Sequence, residues 1–261
     1  MAHRSGGTTV LQRHLMVLDA FDVLHPELTL TEIATAAGLA PSSAHRLTSE
    51  LVREGLLERG HDRTFRLGVR LWEYASRTPG ALGLREVARP WLGAVHNHVR
   101  QHAQLGVQSG ADVVFIERMS ASDAVINATL IGGRIPLHAS ACGLVLLADA
   151  PPAVWRQLSE RGLRRYTPQT IGSIEQLEGV ISQVRAEGFA ETPGHIHPDS
   201  RGIAVPVRGP EGAVVAGIGV VVANDATSPQ PAVELLTVAS AAISRALAHG
   251  NPFTYGHYLS Q

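Results

Sequence analysis

Four small groups of residues in this chain have the right types for chemistry. Cys142, the single cysteine, follows His138 by four positions in 133-GRIPLHASACG-143. A thiol beside an imidazole is a nucleophile beside its base. The run 195-HIHPD-199 puts His195 and His197 on one face of any strand. His98 and His102 stand at i and i+4, which a helix brings together. Both pairs are metal-ligand residue types. The fourth group, 42-SSAHR-46, offers hydroxyls, an imidazole and a guanidinium, which bond phosphates and base edges.

Each group also has a plainer reading. A Cys–His pair needs a third, orienting group, and a four-residue offset across a loop–helix junction matches no protease or transferase spacing. A thiol lining a pocket as a small apolar group is the commoner outcome. Redox sensing by Cys142 stands beside it, since a helix start lowers a thiol pKa. The histidines read first as surface or hydrogen-bonded side chains, so no metal and no cofactor is expected. The chain has no glycine-rich phosphate loop, GxSxG elbow or HExxH motif. Two function classes remain: a DNA-binding regulator, or an enzyme or redox sensor built on Cys142.

The elements around these groups divide the chain in two. The sequence has 261 residues, 44% of them apolar and 17% charged, with net charge -1. That composition suits a globular protein, and any nucleic-acid contact must be local. One cysteine excludes an internal disulfide framework and suits a reducing cytoplasm. No signal-peptide core and no 18-residue apolar run stands out, so no membrane association is expected.

In the first part, apolar residues from Val10 to Leu24 recur at helical spacing until Pro26. Thr29 or Thr31 can cap a short helix that Gly38 ends. Pro41 starts a second helix with Leu47, Leu51 and Val52 inward. A short helix, a glycine turn and a second helix make a helix-turn-helix pattern. Leu56–Arg59 and Thr64–Leu67 around a polar turn read as a hairpin, or wing. Arg46 either reads DNA or pairs with Glu50 at i+4. Ser42, Ser43, His45 and Arg46 on the second helix, with Thr31, Arg59, Arg63 and Arg66, form the candidate DNA face. Val69–Ala75 is a further amphipathic piece, and 78–83 reads as a breaker.

The second part alternates. Helices are expected at 84–103, 139–148, 153–161, 174–187 and 231–249. Strands are expected at 104–108, 113–118, 124–131, 202–207 and 214–222. Helices outside a mainly antiparallel sheet follow from this order.

The blocks 30-LTEIATAAGLAPSSAHRLTSELVREGLLER-59, 132-GGRIPLHASACGLVLLA-148, 188-GFA-190, 203-IAVPV-207 and 211-EGAVVAGIGV-220 resemble the IclR family of bacterial transcription regulators. The resemblance spans roughly residues 8–249. It implies an α/β (α+β) chain: a winged helix-turn-helix with linker helix over 1–77, a linker over 78–83, a GAF-like antiparallel-sheet effector domain over 84–250 and a tail over 251–261. It also implies a homodimer or dimer of dimers on a pseudo-palindromic DNA operator, with a small-molecule effector in the second domain. Carried over by position, the effector site comprises Asn127, Ile135, Ala141, Cys142, Thr192, His195, Ser200, Gly202, Gly219 and Val221. His195 falls where the family often has an acid, and Gly202, Gly219 and Val221 stand where cysteine and serines are common. Those departures point to an effector less polar than a small keto acid: an aromatic acid, ester or amide.

Overall fold

The computed structural model describes residues 8–22, 25–77, 79–127, 129 and 131–249, with side chains of 79–82 left aside. The chain divides into two compact units, Met1–Thr78 and Pro79–Gln261.

The first unit holds α1 (Val10–Leu18), β1 (Glu27–Thr29), α2 (Leu30–Ala36), α3 (Pro41–Arg53), β2 (Leu57–Arg59), β3 (Thr64–Leu67) and α4 (Val69–Ser76). The cap of α2 is Thr29, whose hydroxyl accepts the Glu32 N–H while the Glu32 carboxylate accepts the Thr29 N–H. Gly38 leaves that helix in the left-handed region, φ 62°. Pro41 opens α3, which buries Leu47 and Leu51 against Val17, Ile33, Leu57 and Phe65. The hairpin β2–β3 is present, and β1 adds to it in the order β1-β3-β2, which the sequence pattern did not announce. The expected first helix is shorter than its apolar pattern: α1 ends at Leu18, and Val10, Leu11 and Leu15 are exposed. Residues 23 and 24 of that expected helix lie outside the described set.

The second unit holds α5 (Pro79–Val99), β4 (His102–Ser109), β5 (Asp112–Met119), β6 (Arg134–Pro136), a 3-10 turn (Leu137–Ala139), α6 (Ala141–Leu147), α7 (Pro152–Arg161), α8 (Ile174–Glu187), β7 (Ala190–Pro193), β8 (Ser200–Arg208), β9 (Val214–Ala223) and α9 (Gln230–Ala248). The six strands form one antiparallel sheet in the order β6-β5-β4-β9-β8-β7. Strand parity assigns its two faces. Ala103 and Leu105, Ile203, Val205 and Val207, and Ala216, Ile218 and Val220 pack with α5 and α9. Val113, Phe115 and Ala204 pack with α6, α7 and α8 on the other side. Helix α9 has the length and composition of a membrane-crossing segment, but Val233, Leu236, Ala239 and Ile243 are buried in the α5–α9 cluster on the sheet.

Two expectations change here. The stretch 79–83, expected to break the chain, belongs to α5. The strand expected at 124–131 is not formed by its described residues; the pairing strand is β6, three residues further on. Val125 and Asn127 there are tied by polar groups instead: Gln101 Oε1 accepts the Val125 N–H at 2.9 Å, and Gln104 Oε1 accepts from Asn127 Nδ2 at 3.3 Å.

Candidate functional site

A cavity lies between α6 and the sheet face that carries Gln104, Gly202 and Val221. Gln104, Asn127, Thr129, Ile135, Ser140, Ala141, Thr192, Ile196, Ser200, Gly202 and Val221 line it. Its empty space is ≈ 380 Å³ counting open solvent at the mouth. Only ≈ 30 Å³ admits the centre of a water molecule, so a bound ring must displace part of the wall. None of these lining side chains carries a formal charge. The polar ones are amides and hydroxyls.

Strand parity turns Gln104 toward this cavity, since Ala103 and Leu105 face the other core. Its Oε1 accepts from Thr129 Oγ1 at 2.7 Å and from Asn127 Nδ2 at 3.3 Å. Asn127 Oδ1 accepts the Thr129 N–H at 2.9 Å. Behind this wall His102 and Arg118 anchor the same segment. The His102 ring meets Ser120 Oγ at 2.9 Å and Val125 O at 2.6 Å, and Arg118 Nη1 donates to Thr129 O. Burial, first, lowers the pKa of His102.

Seven positions carried over for the effector site line the cavity: Asn127, Ile135, Ala141, Thr192, Ser200, Gly202 and Val221. Three do not. Cys142 turns under α6 into the sheet, beneath Gly106, Gly217 and Gly219. A Cβ on Gly219 would stand 3.1 Å from Cys142 Sγ and 2.6 Å from Ile203 O. Gly219 therefore makes room for the helix and not for a ligand. His195 does not line the cavity, and its neighbour Ile196 does. Sequence reasoning missed Gln104, Thr129, Ser140 and Ile196. The signal for Gln104 was a polar residue at a core parity position in an apolar strand.

The suspected catalytic pair does not form. Burial pushes the Cys142 thiol up to about 12, the opposite of a reactive thiolate. A buried thiol with no base beside it fits the plainer reading of Cys142, a small apolar group. His138 is fully buried, with Nε2 against Arg164 O at 3.0 Å and Nδ1 without a hydrogen-bond partner. The start of α6 offers little to an anion. That helix has seven residues, and Ser140 Oγ already accepts the Gly143 N–H at 3.1 Å. Among the described residues no group of three or more metal-ligand side chains converges, and His98 and His102 fall on α5 and β4 respectively.

In the first unit, the described candidates sit on α2, α3 and the wing. Thr31, Ser42, His45, Arg46, Arg59, Arg63 and Arg66 are exposed and Ser43 is half-buried. Arg46 Nη1 donates to Glu50 Oε1 at 2.7 Å, so the pairing alternative is realised. Arg66 forks onto Glu58, and the Arg59 guanidinium lies 5.5 Å over the Phe65 ring. Arg63 sits at the wing turn with φ 58°.

A winged helix-turn-helix followed by a helix-flanked antiparallel sheet with an uncharged cavity defines a class: DNA-binding regulators with a small-molecule domain. Comparison with known proteins narrows it. Residues 10–61 match the IclR helix-turn-helix domain, and residues 78–245 match the bacterial transcriptional regulator IclR C-terminal domain. The chain belongs to the IclR family of bacterial transcriptional regulators. It is 32% identical to the HTH-type transcriptional regulator XynR of Escherichia coli over 92% of this chain and 97% of that one. It is 34% identical to BhcR of Paracoccus denitrificans over 84% and 79%. Among solved structures it resembles an IclR homolog from Microbacterium hydrocarbonoxydans complexed with 4-hydroxybenzoate, with TM-score 0.84 and 39% identity over 93% of this chain and 100% of that one.

Proposed function

We propose that this regulator controls a catabolic gene cluster and responds to an aromatic acid, ester or amide bound in the Gln104–Val221 cavity. The observation that carries this reading is the lining itself. Ile135, Ala141, Ile196 and Val221 offer apolar surface to a ring, while Gln104, Asn127, Thr129 and Ser200 offer neutral hydrogen-bonding groups to its substituents. A solved relative at 39% identity is complexed with 4-hydroxybenzoate, a ring bearing polar substituents of this kind. A small keto acid would leave the apolar surface unused. Cys142 takes no part in chemistry, and the protein is not an enzyme.

Thr31, Ser42, Ser43, His45 and Arg46 meet the DNA, with Arg59, Arg63 and Arg66 gripping backbone or minor groove from the wing. The protein acts in the cytoplasm as a homodimer or dimer of dimers on a pseudo-palindromic operator, as repressor or activator. Exposed Val10, Leu11 and Leu15 on α1 and Val69 and Trp72 on α4 supply apolar surface that a second copy would cover.

Thermal shift with 4-hydroxybenzoate, benzamide, methyl benzoate and glyoxylate tests the ligand class. Stabilisation by at least one aromatic compound and none by glyoxylate is expected. Stabilisation by glyoxylate alone would overturn it.

A further inference from the structure

On α3, Glu50 follows Arg46 by one helical turn, and both of its oxygens are engaged. Oε1 accepts from Arg46 Nη1 at 2.7 Å. Oε2 meets His14 Nε2 at 2.7 Å, across from α1. The other nitrogen of His14 faces Val10 O at 2.9 Å, so the ring has an acceptor at each end and makes both hydrogen bonds as an imidazolium. Exposure rises along this chain of contacts: the side chain of His14 is 18% exposed, that of Glu50 30% and that of Arg46 54%. The arginine at its outer end therefore has one nitrogen tied down, and Nε and Nη2 remain as an N–H fork.

We propose that Glu50 is a positioning residue for sequence reading: it holds the Arg46 guanidinium so that its remaining fork meets a guanine edge, with His14 bracing the carboxylate from α1. The inference rests on α3 being the helix that enters the major groove. An unbraced arginine on a helix surface samples many rotamers and loses that freedom on DNA. The 2.7 Å bond fixes the rotamer before DNA arrives. A carboxylate facing a phosphate-lined groove weakens binding to every sequence alike. Its engagement by two basic side chains explains how one is tolerated there, and its gain is discrimination, since N7 and O6 of guanine demand a fork at a set angle. His14 ties the angle to α1, so the reading head is the α1–α3 pair and not α3 alone.

The test uses the full chain and a random-sequence duplex pool, enriched by rounds of binding and then sequenced. Affinities for the enriched duplex and its single-position variants follow by fluorescence anisotropy. The wild type is expected to prefer G·C at one position of each half-site by about tenfold or more, the size of one bidentate base contact. Arg46→Ala and Arg46→Lys erase the preference at that position only, and Arg46→Lys keeps the salt slope. Glu50→Gln reduces it to about threefold or less while affinity for the unenriched pool holds or rises; His14→Gln falls between. A thermal melt shows that Glu50→Gln is folded. Full preference in Glu50→Gln, or a loss spread evenly over all positions, overturns the proposal. Preferences intact in Arg46→Ala overturn it too, with the regulator reading still standing on the enriched site. No enrichment by the wild type would remove the sequence-specific DNA reading itself.

Discussion

Cys142 and His195 show how a residue type misleads until its surroundings are known. Both have chemistry that suggested a site, and both are buried and electrically silent. The Cys142 thiol, pushed up to about 12 by burial and sealed under α6, is expected to resist iodoacetamide at pH 8 in the folded protein and to react fully in urea. Alkylation of the native chain, read by mass, would contradict that. His195 is pulled down from 6.5 to about 4, by burial first and then by His138, which burial also lowers. The unfolded chain takes up the His195 proton near pH 6.5, the folded chain not until about 4. The stability associated with the neutral ring is therefore complete above 6.5 and is lost as the pH falls toward 4. Between pH 7.5 and 5.0 the His195 share of that loss is about 2 kcal/mol. Urea unfolding at the two pH values should show it, and His195→Gln should remove about that much of the difference. An unchanged difference would mean that His195 titrates normally in the fold. The legible signal at this scale was position, not type. Of the carried-over residues, Gly202 and Val221 line the cavity, while Gly219, on the same face of β9 as Val221 but directly under α6, serves packing with Cys142.

At the scale of elements, the apolar strands were readable because they are buried on both faces. The pairs 202–207 and 214–222 lie inside β8 and β9, and 174–187 is α8. Short or polar pieces were not. The strand β7 spans four residues at the sheet edge, β1 three, and β6 follows a segment whose apolar residues mimicked a strand. The seating of α6 depends on glycines that no periodicity explains. A Cβ on Gly143 would collide with Leu137, whose Cα would be 2.6 Å away, and one on Gly217 would meet Cys142 Cα at 3.0 Å. Backbone cannot yield as a flexible side chain does. Gly143→Ala should therefore lower stability by about 3 kcal/mol or more, toward the upper end for overpacking. Gly179→Ala, on α8 with nothing within 4 Å, should raise it by about 0.5–1 kcal/mol. Equilibrium unfolding of both variants compares the two. Equal effects would mean that α6 can shift to accept a methyl group, and that GRIPLHASACG owes its glycine to something other than this crossing.

For the whole molecule, one unit carries the DNA face and the other the cavity, so the regulatory question is how free energy passes between them. A ligand bound with equal affinity in every arrangement of the chain would change nothing at the DNA, however tightly it bound. Regulation requires a coupling free energy, and coupling between two binding sites is reciprocal. This gives a test that needs neither the operator's identity in the cell nor the direction of control. If an aromatic ligand changes the affinity for an enriched duplex by some factor, saturating duplex must change the ligand's affinity by the same factor. Typical couplings of 1–3 kcal/mol correspond to about 5- to 150-fold, well within the reach of anisotropy and calorimetry. Gly202→Ala is the matched control. Its Cβ would stand 2.6 Å from Thr192 Oγ1 at the cavity wall, far in sequence from every residue of the DNA face. The variant should lose ligand-induced stabilisation and ligand-dependent DNA affinity together while its affinity for the duplex without ligand stays within about twofold, less than the smallest typical coupling. If the ligand still shifted DNA binding in Gly202→Ala with undiminished affinity, it would be acting from somewhere other than this cavity.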